Sequence, residues 1–146
     1  MTHEEINKEV TERLKQIYAP YFDSEYLDQN LEVPRIYTDN VQKLDVGDLY
    51  SLSRALSNTI SWTEMFDDEF LERRNTNQRT KNDTIFLVIG EWGSHHEFLL
   101  CCDKSSEDFA KIFDFNDAHP WCGHHNEVEW ADFREFLKED FKIDLE

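Results

Sequence analysis

The stretch "TIFLVIGEWGSHHEFLLCCDKSSEDFAKIFDF", Thr84 to Phe115, decides the fold. "TIFLVIG" is a short apolar run stopped by Gly90, and "EWGS" after it is turn-forming. "HHEFLLCCD" is a second such run, "SSED" a second turn and "FAKIFDF" a third run. Short apolar runs bounded by Gly, Ser and Asp read as strands, and short connections make neighbouring strands antiparallel. The expectation is a three-stranded meander. Successive side chains of a strand point to opposite faces. Phe98, Leu99 and Leu100 therefore place apolar groups on both faces, as a central covered strand would. By the same geometry His95 and His96 diverge, and so do Cys101 and Cys102. Only one of each pair can reach a common metal, and the two cysteines read as small buried hydrophobes.

Upstream of the meander the period changes from two to nearly four. Thr2 and Glu5 have capping-box spacing, and Ile6, Val10, Leu14 and Ile17 follow at helical intervals up to Pro20. This predicts a helix over 3–18. "YFDSEYLDQN" reads as a turn or short helix, and "LEVPRIYT" as an edge strand or extended loop, because Pro34 cannot donate to a ladder. Asp45 or Asp48 is expected to cap a helix with Leu49, Leu52, Leu56 and Ile60 on one face. Ser61 and Glu64 form a possible second capping box, ahead of Trp62, Met65, Phe66 and Phe70. "RRNTNQRTKND" reads as a polar loop. Downstream, "NDAHPWCGHHNE" reads as a loop and "VEWADFREFLKEDF" as a closing helix with Phe133, Phe136, Leu137 and Phe141 turned inward. Helices, then a meander, then a helix packed on the sheet make an α+β fold, expected to be a single domain over residues 1–146.

Charge excludes whole classes of function. The chain carries 32 acidic and 15 basic residues, a formal net charge of −17. Nucleic acid and anionic membranes both reward Lys and Arg, so neither is an expected partner. A basic protein is. "IFLVI" and "FLLCC" are too short to cross a bilayer, and the charged opening "MTHEEINKEV" does not read as a secretory leader. Three cysteines, two of them adjacent, make a poor disulfide framework and suit a reducing cytoplasm.

Motifs for chemistry are weak. The four glycines form no phosphate cradle, and "GEWGS" is not a nucleophile elbow. Cys122 sits near Asp117, Glu127 and Glu129, a setting that does not favour a thiolate. His119, Cys122, His124 and His125 could supply two or three zinc ligands from one loop, but the two-plus-two layout of a specific zinc motif is missing. The expectation is a non-enzymatic protein with no cofactor and no metal. The loop from Asp114 to Glu129 is its candidate partner-binding site: Asp114 opens it, Trp121 is an aromatic anchor with Asp117, Glu127 and Glu129 around it, and His119 can hydrogen-bond. Asp67, Asp68 and Glu69 form a rival acidic edge.

"IFLVIGEWGSHHEFLL", "KIFDFNDAHPW" and "VEWADFREFL" together resemble the SUKH superfamily, which includes many bacterial toxin-immunity proteins and a yeast cell-wall assembly regulator. The similar features are a strand, a Gly-containing turn and a strand, then a strand ending in aromatic and acidic residues, then a closing aromatic-acidic helix. They span Ile85 to Phe141; the first 80 residues show only "LEVP" and no Asn-Gly turn. The resemblance implies a cytoplasmic immunity protein that binds and blocks a cognate toxin, often a nuclease. It carries over no catalytic residue. An intracellular adaptor or regulator on the same scaffold is the alternative, followed by a zinc-binding protein using the 119–125 loop.

Overall fold

The computed structural model describes residues 2–44, 47–64, 85–92, 96–116 and 128–145, with the backbone alone at 115, 116, 128 and 129. Helix α1, His3–Tyr18, starts as expected. Thr2 Oγ1 accepts from the Glu5 amide, and Glu5 Oε1 accepts from the Thr2 amide, both at 3.1 Å. Its buried row is Ile6, Val10, Leu14 and Tyr18. Tyr18 continues the four-residue step that Ile17 was expected to fill, and Ile17 is only half-buried.

Helix α2 is Ser24–Asn30 and α3 the single turn Arg35–Thr38, followed by a 3-10 turn at Val41–Lys43. Of the two readings of "LEVPRIYT", the edge strand does not form; residues 32–34 are extended loop, and Arg35–Thr38 is helical. Leu31 makes one bridge to Asp103, and Pro34 stands at the N-cap of α3 with φ −55°. A proline has the helical φ built in and loses nothing at a helix start, where its missing N–H would have no partner.

Helix α4, Leu52–Glu64, departs from expectation in three ways. Ser51 Oγ, not Asp45 or Asp48, receives the Arg54 amide at 3.2 Å; Asp45 lies outside the described residues. The inward face is Ala55, Leu56, Thr59, Trp62 and Thr63, while Ile60 is 42% exposed. The face is therefore rotated away from the row of aliphatic residues. Ser61 is mid-helix, with its hydroxyl on the Ser57 carbonyl, and starts no second helix. Met65, Phe66, Phe70, the 73–83 loop and the rival acidic edge lie outside the described residues.

Strands β1 (Phe86–Trp92), β2 (His96–Cys101), β3 (Ile112–Asn116) and β4 (Val128–Trp130) form one antiparallel sheet in that order. β3 is shorter than "FAKIFDF", because Phe109 and Ala110 belong to the preceding turn, Ala110 with φ 71°. β4 corrects the reading of "VEWADFREFLKEDF" as wholly helical. Ile112 pairs with Trp130 and Phe113 with Val128, and the helix α5 runs only over Phe133–Asp140. Asp132 is its N-cap, its Oδ1 accepting from the Glu135 amide at 2.9 Å. Phe133, Phe136 and Leu137 are buried as expected. Phe136 meets Phe98 at 4.8 Å and Trp130 at 4.7 Å between ring centres, both edge-on, so α5 packs on one face of the sheet. The fold is α+β.

β2 is covered on both faces, with Phe98, Leu99, Leu100 and Cys101 at 1% exposure or less. Cys101 and Cys102 are core residues, and burial pushes the Cys101 thiol up to about 11. The outer edge of β1 presents backbone groups with no strand beside them, a position that proteins must cover or charge. Here side chains satisfy them. The Tyr18 hydroxyl donates to the Phe86 carbonyl at 2.6 Å and accepts the Phe86 amide at 3.0 Å. Thr59 Oγ1 accepts the Val88 amide at 2.9 Å while donating to the Ala55 carbonyl. Residues 48–50 then take over as a short strap. The Tyr50 amide donates to the Ile89 carbonyl at 2.9 Å and the Glu91 amide to the Asp48 carbonyl at 3.0 Å. Gly90 permits this approach, since an added Cβ would overlap the Asp48 carbonyl oxygen. No helix among the described residues is long and apolar enough to cross a membrane.

Candidate functional site

Past Gly90 the sheet leaves its cover. Along β1 the burial falls from complete at Phe86–Gly90 to partial at Glu91 and exposed at Trp92. β2 does the same in reverse, with His96 and Glu97 only partly buried. The register pairs these residues, Trp92 with His96 and Glu91 with Glu97. The alternation of a strand then sorts them. Trp92 and His96 share the α5 face with Asp114, which pairs with Phe98. Glu91 and Glu97 share the opposite face, towards the strap and α4.

On the α5 face three side chains from three strands bind each other. The Trp92 indole N–H donates to Asp114 Oδ2 at 3.2 Å. His96 Nδ1 lies 2.9 Å from Asp114 Oδ1. An ionised carboxylate only accepts, so Nδ1 carries the proton in this pair. The indole and imidazole rings stack at 4.3 Å between centres and 26° between planes. Trp92 nevertheless stays 44% exposed, one of three large hydrophobic residues exposed among those described. An aromatic ring thus stands at the surface with its orientation fixed by a hydrogen bond and a stack.

The opposite face carries a different set. Arg54 from α4 lies over the Tyr50 ring at 4.4 Å and reaches Glu91 Oε1 at 3.2 Å. Burial, together with the nearby Glu91 and Glu97 carboxylates and against the opposing charge of Arg54, holds the Tyr50 phenol well above its usual range. Asp48 of the strap and Asp140, the last residue of α5, complete this end. The Asp140 carboxyl is raised by burial first and then by Asp48 and Asp114, with Lys142 acting the other way. Negative charge therefore collects here from the strap, β1, β2, β3 and α5. No group of three or more His, Cys, Asp and Glu among the described residues is arranged to hold a metal ion.

Of the site residues expected from sequence, the structure brings Asp114 into this constellation. Asp117, His119, Trp121 and Glu127 lie outside the described residues, and so do Cys122, His124 and His125 of the zinc alternative. Glu129 is placed by its backbone in the middle of β4. Trp92, His96, Tyr50 and Arg54 were missed as site residues. "EWGS" looked like a turn, whereas β1 continues through Trp92; only the pairing with His96 reveals the platform. No family model, no curated protein and no solved structure matches this chain.

Proposed function

We propose that this chain is a cytoplasmic immunity protein, which neutralises a basic toxin, a nuclease in the first instance, by forming a one-to-one complex without catalysis. A nuclease binds phosphates, so its active surface is basic, and an acidic protein that covers it gains fast association as well as complementarity. The net charge of −17 and the resemblance of residues 85–141 to the SUKH pattern both favour this reading. The observation that carries it is Trp92, a half-exposed indole locked by His96 and Asp114 at the acidic end of the sheet. Tight interfaces depend on a few aromatic anchors, and an anchor already held in place loses little entropy on docking. Asp114 links this platform to the 114–129 loop, whose Asp117, His119, Trp121, Glu127 and Glu129 are proposed to extend the same surface.

The adaptor reading is the second. A groove of about 360 Å³ between α1 and α4 favours it, lined in part by Ile17, Pro20, Tyr21 and Ile60. The test takes the product of the gene adjacent to this one, which this reading requires to be a toxin nuclease, and measures its inhibition. An equimolar amount of this protein should abolish its activity, and the onset should slow as salt rises. Full nuclease activity at a twofold excess would overturn the immunity reading.

A further inference from the structure

The geometry points to an arginine side chain of the basic partner as the group recognised at this end of the sheet, its guanidinium lying on the solvent side of the Trp92 indole in the field of Asp114, Asp140 and Asp48. This rests on the binding role proposed above and names its chemistry. His96 stacks on Trp92, and the residue is still 44% exposed, so part of it is open to an incoming group. Tryptophan is the best aromatic partner for a cation, and arginine, planar and weakly hydrated, is the cation that stacks best.

The molecule contains a precedent for the arrangement on the other face of the same strand end. There Tyr50 supplies the ring, Arg54 the guanidinium and Glu91 the carboxylate, at 4.4 Å and 3.2 Å. On the Trp92 face the ring and carboxylate recur as Trp92 and Asp114, and no Arg or Lys among the described residues contacts either. The surrounding charges also work against the free protein. Asp140 ends a helix, where the dipole favours cations, and its carboxyl is raised by burial, Asp48 and Asp114. Local rules are broken in this way mainly where function requires it. Lys142 offsets Asp140 only in part, and a docked guanidinium would offset all three aspartates.

The experiment follows the indole N–H resonance of Trp92 in an isotope-labelled full chain during titration with an arginine hexapeptide and, separately, a lysine hexapeptide. The arginine peptide should shift that resonance and bind several-fold more tightly than the lysine peptide. Asp140→Asn should weaken arginine-peptide binding about threefold to tenfold while raising the melting temperature of the free protein at pH 7. Glu9→Gln and Glu12→Gln, on the exposed side of α1, should change neither. Peptide binding that leaves the Trp92 resonance still, or equal weakening by the α1 variants, would overturn the inference. So would a lower melting temperature for Asp140→Asn. The two proposals can fail separately. A toxin that binds normally to Trp92→Ala removes the arginine seat alone, and an arginine peptide seated on Trp92 beside an uninhibited toxin removes the immunity reading alone.

Discussion

The middle and the end of the same two strands, β1 and β2, differ sharply in burial. Between Phe86 and Gly90, and between Phe98 and Cys101, every side chain is buried, and even the free edge of β1 is closed by the hydroxyls of Tyr18 and Thr59. Two residues further on, Trp92 and His96 are held by hydrogen bonding and stacking but left at the surface among carboxylates. The middle pairs its edge groups with buried hydroxyls; the end exposes charge and an aromatic ring to solvent. The same two continuous strands are thus fully covered over one part of their length and open to solvent over the rest.

The largest test of the difference is Phe136→Ala. Phe136 fills the space between Phe98, Trp130 and Phe141 on the covered face, with ring centres 4.7–5.2 Å away. Removing it costs lost transfer energy plus a cavity, about 3–5 kcal/mol. The melting temperature should fall by roughly 10 °C or more for a chain of this size. An unchanged melting curve would mean that α5 is not docked and that the covered middle is not covered.

Next comes Tyr18→Phe. It keeps the ring and removes one oxygen, leaving both the amide and the carbonyl of Phe86 without their partner. A buried polar group left unsatisfied costs about 1–3 kcal/mol. Thr59→Val, which strands only the Val88 amide, should cost about half as much. Urea melts of the two variants check the ratio. Equal losses would show that the hydroxyls do not act as the edge partners of β1.

These two hydroxyls also mark where the sequence stops being legible. The capping box and the Ile6, Val10, Leu14 row were readable because a helix writes its period locally. The apolar runs of β1 and β2 were readable because a doubly covered strand needs nearly every residue apolar. The roles of Tyr18 and Thr59 depend on a strand about 68 and 29 residues away, and no local pattern carries that. The start of α5 was misplaced because Val128, Glu129 and Trp130 fit a helical face as well as a strand. Asp132 is the true cap, three residues before the Glu135 whose amide it receives. Asp114 was named from the sequence as the start of the 114–129 loop, whereas its meeting with Trp92 and His96 became visible only through register.

The third test uses pH. Burial raises the Cys101 thiol to about 11 and holds the Cys102 thiol and the Tyr18 and Tyr37 phenols above their ordinary values. A group with a raised folded-state pKa contributes stability that is complete below its unfolded value and is lost as pH rises through the folded one. The thiols should begin to withdraw stability near pH 9, by about 1.4 kcal/mol per pH unit each. Stability should therefore fall by roughly 2–3 kcal/mol between pH 8 and pH 10. Thiol reagents should label neither Cys101 nor Cys102 in the native protein below pH 9. Fast labelling at pH 7.5 would place the thiols outside the core.

The smallest effect on folding is expected at the open end, and there its smallness is the point. Trp92→Ala removes a half-exposed ring, one hydrogen bond and one stack, and Asp114→Asn keeps the shape while removing the charge. Surface changes of this kind usually stay within about 0.5–1 kcal/mol. If the end exists to meet a partner, the loss should appear in the complex instead. Trp92→Ala should speed dissociation from the toxin by about 30-fold or more, the mark of an anchoring residue. Asp114→Asn should act more on association and on its salt dependence, as a charge near the rim does. The measurements are a urea melt of each variant and its binding kinetics at two salt concentrations. A loss of more than about 2 kcal/mol for Trp92→Ala would mean that this ring belongs to the core in the same sense as Phe98. The contrast between middle and end would then disappear, and with it the argument that the exposed indole is there to be bound.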